Sequence, residues 1–392
     1  MLRELTIEIY LFIFRILFNI GKLFPLQKRA LFITSFGHNT EYVARELITS
    51  TDEPIIILNT GSFEPSFLPK DQMSRITIKR FTPAHPIQWL QGIFLLASSA
   101  TVYVDNYYGV LAVTTFKKSV RCVQLWHAAG AIKQFGLKDP SNKDRTKRAI
   151  NRFRAVYKRF TDVVIGSHEM GNIFGEAFGL DHSHMLPTGV PRTDFFYDEV
   201  AMIEAKQTVY QRYPQLKGKK VILYAPTYRD DALHADQNVA DPPLHLKTLE
   251  KELGDDYIFL LKPHPAVSAK WQIDSNSFVI DVSDYPNVNE LLTVADVFIS
   301  DYSSIPFEYA ILERPMIFFA YDLASYTDMR GFWEPYEELI PGPLVQTTEE
   351  LIHAIQHQQV DLEAIRNFRL KWNEYSTGNA SATLVSRIHG SR

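Results

Sequence analysis

Cysteine is almost missing from this chain: Cys122 is the only one in 392 residues. That excludes an intrachain disulfide and points to a reducing, cytosolic setting. Its neighbours Val123, Gln124 and Leu125 make Cys122 a buried strand residue rather than a nucleophile. Charge excess is small too, with 41 Lys and Arg against 45 Asp and Glu. A strongly basic nucleic-acid binder is thereby excluded, while local patches stay open. No apolar run reaches the ~20 residues that span a bilayer. A Gly-rich dinucleotide fingerprint, a P-loop lysine, an Asp-x-Asp pair, a His/Cys cluster and a His-Glu-x-x-His helix are all missing, so neither a metal nor a resident cofactor is expected.

What the chain does have is apolar content, 46% of residues, with 26 Phe and 19 Tyr. Its length suits two domains, each with a core of its own. Many aromatics crowd the first 25 positions, where Ile9–Ile20 is apolar except around Arg15. Charges at Arg3, Glu4, Glu8, Lys22 and Lys28 suit a helix lying in a membrane interface. The alternative is a helix packed on the protein's own core. No small-residue cleavage site follows, which argues against a signal peptide.

Short β-branched runs alternate with helical patterns, the pattern of parallel α/β units. Strands are expected at 30–34, 54–58, 101–104, 121–125 and 162–165, then at 220–223, 257–261, 277–280, 296–299 and 315–318. The boundary falls within the turn-rich stretch 191–214, giving an interfacial helix at 1–28, an N-terminal domain at 29–205 and a C-terminal domain at 206–392. In open α/β sheets ligands bind beyond the carboxyl ends of the strands.

Four candidate segments lie at such ends. In Trp126-His127-Ala128-Ala129-Gly130, an imidazole is followed by small residues, which leaves room for a substrate. Its ordinary pKa suits a general base taking a proton from a hydroxyl; the bland alternative is a histidine bonded to a backbone carbonyl. Thr227 and Arg229, with Lys262 and His264, are donors at two neighbouring strand ends, in turns stiffened by proline. An anion among them competes with plain solvated charge. Asp301-Tyr302-Ser303-Ser304 leads into a helix whose first N–H groups and two hydroxyls suit an anion, though serine capping alone accounts for the pattern equally. The simplest chemistry for this set is in-line displacement at phosphorus. A basic run from Lys143 to Arg159, opposed only by Asp144, is either a solvated face or a grip on anionic lipid.

Together these segments resemble the CDP-glycerol:polyol-phosphate glycerophosphotransferase family, which primes and polymerises wall teichoic acids. The likeness rests on the four segments and on Gly166-Ser167, Thr188-Gly189-Val190-Pro191-Arg192, Glu308, Pro315, Tyr321-Asp322, Arg330-Gly331 and Pro341-Gly342, in family order. The resemblance implies a GT-B-like pair of Rossmann-type domains facing a cleft, acceptor on the first and CDP-glycerol, a substrate, on the second. It implies His127 as base and His264, Ser303 and Ser304 on the donor diphosphate, with Thr227, Arg229, Lys262, Asp301 and Arg330 as further donor-site candidates. Family polymerases tend to carry His-Gly-Thr where this chain reads His127-Ala128-Ala129. With no large extra N-terminal domain, the chain looks more like the primase. That enzyme adds the first glycerol phosphate to a disaccharide, ManNAc-GlcNAc, on undecaprenyl diphosphate. Such a chain is expected to sit peripherally on the cytoplasmic face of the cell membrane, through residues 1–24 and 143–159, beside other teichoic acid enzymes. Alternatives are a transferase of second or later units and a GT-B sugar-nucleotide glycosyltransferase or epimerase.

Overall fold

The computed structural model describes residues 2–61, 74–227, 243–263, 271, 275–357 and 360–390. They divide into two compact units, each built on one parallel sheet. The first comprises Met1–Ala128, Phe135–Asp194 and Glu374–Arg392; the second comprises Ala129–Gln134 and Phe195–Asn373. The expected division at 205/206 therefore does not match the contacts. The helix Glu199–Arg212 belongs wholly to the second unit, and the chain's last segment returns to the first.

In the first unit the strands are β1 (Gln27–Thr34), β2 (Ile55–Asn59), β3 (Ile76–Arg80), β4 (Ser99–Val104), β5 (Arg121–Gln124), β6 (Asp162–Ile165) and β7 (Met185–Pro187). They pair in the order β3-β2-β1-β4-β5-β6-β7. The second unit holds β8 (Lys220–Tyr224), β9 (Tyr257–Leu261), β10 (Val279–Asp281), β11 (Val297–Ser300), β12 (Met316–Phe319) and β13 (Leu344–Val345), in the order β10-β9-β8-β11-β12-β13. Both are doubly wound Rossmann sheets. The order reverses beside β1 in one and beside β8 in the other, so a crevice opens at the carboxyl ends of β1 and β4 and again at those of β8 and β11. The strands expected from β-branched runs are all present. The polar edge strand β3 and the short β7 and β13 are additions. Cys122 is buried within β5, and burial pushes its thiol up to about 12, as befits a core residue.

The N-terminal helix, Leu2–Gly21, has two apolar faces. Leu11, Phe14 and Phe18 are buried, with Phe14 edge-on to Phe81 and Trp89 and Phe18 edge-on to Phe116. Gly21 allows a close crossing with the helix Pro86–Ala97, since a Cβ there would lie 2.7 Å from that of Ala97. The other face exposes Leu5, Ile9, Phe12, Ile13, Ile16 and Ile20. Core packing and an outward apolar stripe thus occur on one helix. Among the described residues no helix is long and apolar enough to cross a membrane.

The returning C-terminal helix, Ala380–His389, docks on the first unit. Gly189, at φ 83°, fits under it because a Cβ would meet the Tyr375 carbonyl oxygen at 2.4 Å. His389 donates from Nδ1 to Glu53 at 3.0 Å and accepts from the Tyr103 hydroxyl at Nε2, 2.8 Å away. That pattern requires a neutral ring, and burial lowers its pKa although Glu53 opposes the shift. The unfolded chain therefore binds the extra proton first. Stability from this contact is full above about pH 6.5 and declines as pH falls towards the depressed folded value. Melting temperature should drop between about pH 7.5 and 5.5, and His389→Gln should flatten that drop; identical slopes for both proteins would rule the contact out as its source.

Candidate active site

Within the first unit the site grows from the ends of β1, β4 and β5. Asp105 follows β4 directly, is 1% exposed, and turns its carboxylate to the loop after β1. It accepts the Thr34 hydroxyl at 2.6 Å and the N–H groups of Ser35, Phe36 and Gly37 at 3.1, 2.9 and 3.0 Å. The Tyr108 hydroxyl donates to it as well. The loop leading into the helix His38–Ser50 is thus held by an internal carboxylate, which takes the N–H of the N-cap residue Gly37 and of the two residues before it.

His127 depends on the same residue. Its Nδ1 lies 3.1 Å from the Asp105 carbonyl oxygen. A carbonyl only accepts, so Nδ1 carries the proton and Nε2 is the basic nitrogen of the neutral ring. The imidazole is stacked between Phe36 and Trp126, each with its ring centre 4.3 Å away. Trp126 holds φ 57°, unusual for a bulky residue and the kind of local strain found at functional sites. Asn39, also buried, donates to the Leu125 and Trp126 carbonyls at 3.1 and 2.9 Å and accepts the Arg192 N–H at 3.0 Å. It ties the β5 end to the Thr188–Arg192 turn. The carbonyl-bonded histidine posed above is what the geometry shows; by placing the proton on Nδ1 that bond is compatible with Nε2 accepting one.

After Ala128 the chain enters the second unit. Gly130 meets Phe307 so closely that a Cβ would lie 2.3 Å from the ring. Trp333 N–H donates to the Ile132 carbonyl and Gln134 N–H to that of Gly331, each at 3.1 Å. The small residues after His127 therefore fit against the helix Ile305–Tyr309 and beside the turn that follows Arg330.

In the second unit Asp301 follows β11 as Asp105 follows β4, is fully buried, and accepts the Thr227 N–H at 2.9 and 3.0 Å. This bond braces the start of the loop after β8 at Thr227. Tyr336 donates its hydroxyl to the Asp301 carbonyl at 2.8 Å, and Tyr302 bonds Asp322 at 3.0 Å while stacking on Tyr326. Ser303 and Ser304 are half-buried at this strand end, with Ser303 Oγ accepting from Ile305 N–H at 3.2 Å. Lys262, at the end of β9, donates to the Ser283 carbonyl at 2.7 Å, and burial lowers its pKa. Arg330 ends the helix Leu323–Arg330. His264 and Arg229 lie outside the described residues. No cluster able to hold a metal ion occurs among the described residues.

The basic stretch has partners that local sequence did not reveal. Arg152 pairs with Glu4 at 3.0 Å and Arg148 with Glu8 at 3.1 Å, so the helix Lys147–Tyr157 is tied to the N-terminal helix. Asp144 is not its only counter-charge.

Two doubly wound units, each with polar side chains at its strand ends, give the architecture of a GT-B-like fold. The model of the CDP-Glycerol:Poly(glycerophosphate) glycerophosphotransferase family matches residues 36–390, and the chain belongs to that family. It is 35% identical over 319 residues to the teichoic acid glycerol-phosphate primase of Bacillus spizizenii, covering 81% of each chain. To the primase of Bacillus subtilis it is 38% identical over 305 residues, covering 78% of this chain and 77% of that one. A poly(ribitol-phosphate) polymerase of Bacillus spizizenii is also 38% identical, but the match spans 47% of that protein. A variant of the wall teichoic acid polymerase TagF soaked with CDPG shares the fold at TM-score 0.78 and 24% identity, covering 96% and 92% of the two chains. The chain is a CDP-glycerol glycerophosphotransferase.

Asp105→Asn should lower kcat by about 100-fold, the scale of a small misplacement of a catalytic group. Steady-state kinetics beside a melting curve checks this. A folded variant with unchanged kcat would remove Asp105 from the positioning of His127.

Proposed function

We propose that this chain adds one glycerol phosphate from CDP-glycerol to the ManNAc-GlcNAc disaccharide carried on undecaprenyl diphosphate, releasing CMP. The observation that carries this reading is the bond of His127 Nδ1 to the Asp105 carbonyl, which makes Nε2 the nitrogen able to take a proton. Nε2 takes the proton from an acceptor hydroxyl, and that oxygen attacks the glycerol-bearing phosphorus. A new P–O bond forms as the bond to CMP breaks; the leaving phosphate carries the electron pair and the product is a phosphodiester. Ser303, Ser304, Thr227, Lys262 and Arg330 of the second unit, with Arg229 and His264, serve the donor diphosphate, and Asp301 braces their loop. The residues after His127 and the share of the two primases that is matched support single addition. The identity to the ribitol-phosphate polymerase supports elongation as a second reading.

CMP release and product mass, measured with a lipid-linked disaccharide acceptor, separate the two. One added unit supports priming, a ladder supports elongation, and turnover of UDP-sugars in place of CDP-glycerol would displace both. His127→Ala should cut turnover by roughly 10²–10⁴; near-normal turnover would reject the base assignment.

The outward stripe of Leu5, Ile9, Phe12, Ile13, Ile16 and Ile20 supports peripheral attachment to the cytoplasmic leaflet. Exposed Lys143, Lys147 and Lys158 supply attraction to anionic lipid. The double variant Phe12→Glu, Ile16→Glu should float with anionic vesicles at least about tenfold more weakly, by the cost of placing charge in the interface, while keeping activity on a water-soluble acceptor. Undiminished flotation would exclude this face.

A further inference from the structure

Beside the His127 end of the first unit lies a pocket of about 590 Å³, within the usual size of small-molecule sites. One wall is the N-terminal helix (Ile7, Tyr10 and Leu11), another the basic helix with Phe153, and the floor is Tyr107-Tyr108-Gly109. That floor continues directly from Asp105, whose carbonyl holds His127. Thr60, just past β2, also lines it, so the pocket opens at the carboxyl ends of the sheet, where such units bind ligands.

Its chemistry is that of a sugar site. Phe153 and Tyr107 meet edge-on with ring centres 5.1 Å apart, and the Arg145 guanidinium lies 5.2 Å from the Phe153 centroid. Aromatic faces present apolar area at little entropic cost, and flanking polar groups fix orientation. The charged lining residues are Glu4, Asp144, Arg145 and Arg152, two of each sign. Arg152 is already neutralised by Glu4, through contacts of 3.0 and 3.2 Å. A diphosphate would call for a positive surplus; a lining with balanced charge suits neutral hydroxyls and acetamides.

We infer that this pocket is the acceptor's glycan subsite, holding a neutral N-acetylated pyranose between the membrane-facing helix and the catalytic base. The inference rests on the acceptor reading above, and it explains how one end of the ligand stays at the lipid while the other reaches Nε2. Gly109 offers a clean probe. Its φ is not positive, and an added Cβ would meet only Tyr107, at 3.9 Å, so Gly109→Leu should fill the pocket without disturbing the fold.

The test uses the full chain and ManNAc-GlcNAc bearing a short alkyl tail. Gly109→Leu and Phe153→Ala should each raise KM for this acceptor about tenfold or more, the cost of one lost good contact of about 1.4 kcal/mol, and leave KM for CDP-glycerol unchanged. Calorimetric binding of the same disaccharide should be lost in parallel, with melting curves confirming that the variants fold. A Gly109→Leu protein that binds the disaccharide as tightly as the unaltered chain overturns the subsite. If the unaltered chain binds the disaccharide and the variant does not, yet no CMP is released, the subsite stands and the transfer reading fails.

Discussion

A single buried carboxylate sets the geometry around His127. Asp105 sits where β1 and β4 part, and its oxygens collect a hydroxyl and three successive backbone N–H groups. Hydrogen bonds to a charged group contribute about 1.5–3 kcal/mol each, and leaving such a buried charge unmatched costs more than that. The loop after β1 therefore cannot move independently of β4. Because that loop carries Phe36, one face of the His127 ring is set by the carboxylate, and because the Asp105 carbonyl bonds Nδ1, so is the tautomer. In nucleotide-binding units of this fold, the first helix start is where a phosphate docks. Here the protein's own carboxylate holds the loop immediately before that helix.

The second unit repeats the device with Asp301 and the Thr227 N–H. There the brace leaves Ser303 and Ser304 at the strand end beside the loop it orders. Similar carboxylates thus brace strand-end loops in both units, one beside His127 and the other beside Ser303 and Ser304.

Much of the fold was legible because buried parallel strands are near-continuous β-branched runs. Where burial is one-sided that signal fades: β3 reads Ile76-Thr77-Ile78-Lys79-Arg80 and exposes most of its length, so it was missed. Asp105 was invisible for another reason. Its partners are backbone N–H groups, which carry no sequence identity, and Val104-Asp105-Asn106 reads as any strand meeting a turn. The available signal was the recurrence of an aspartate immediately after the fourth strand of both halves. Long-range charge pairing escaped similarly, since Glu4 lies 148 positions from Arg152. The helical pattern of the tail fits closing the second domain or crossing back to the first, and the contacts of Glu374–Arg392 are with the first unit.

The chain passes from the first unit to the second immediately after the histidine. Only Ala128 separates His127 from a segment whose bonds belong to the second unit: Gly130 against Phe307, Ile132 with Trp333, Gln134 with Gly331. Phe307 stands on the helix that follows Ser303 and Ser304, and Gly331 follows Arg330. The small residues after His127 let the chain pass close to Phe307 as it enters the second unit, where a Cβ at position 130 would lie 2.3 Å from the ring. Because interiors are close-packed, no larger side chain fits there without displacing that helix.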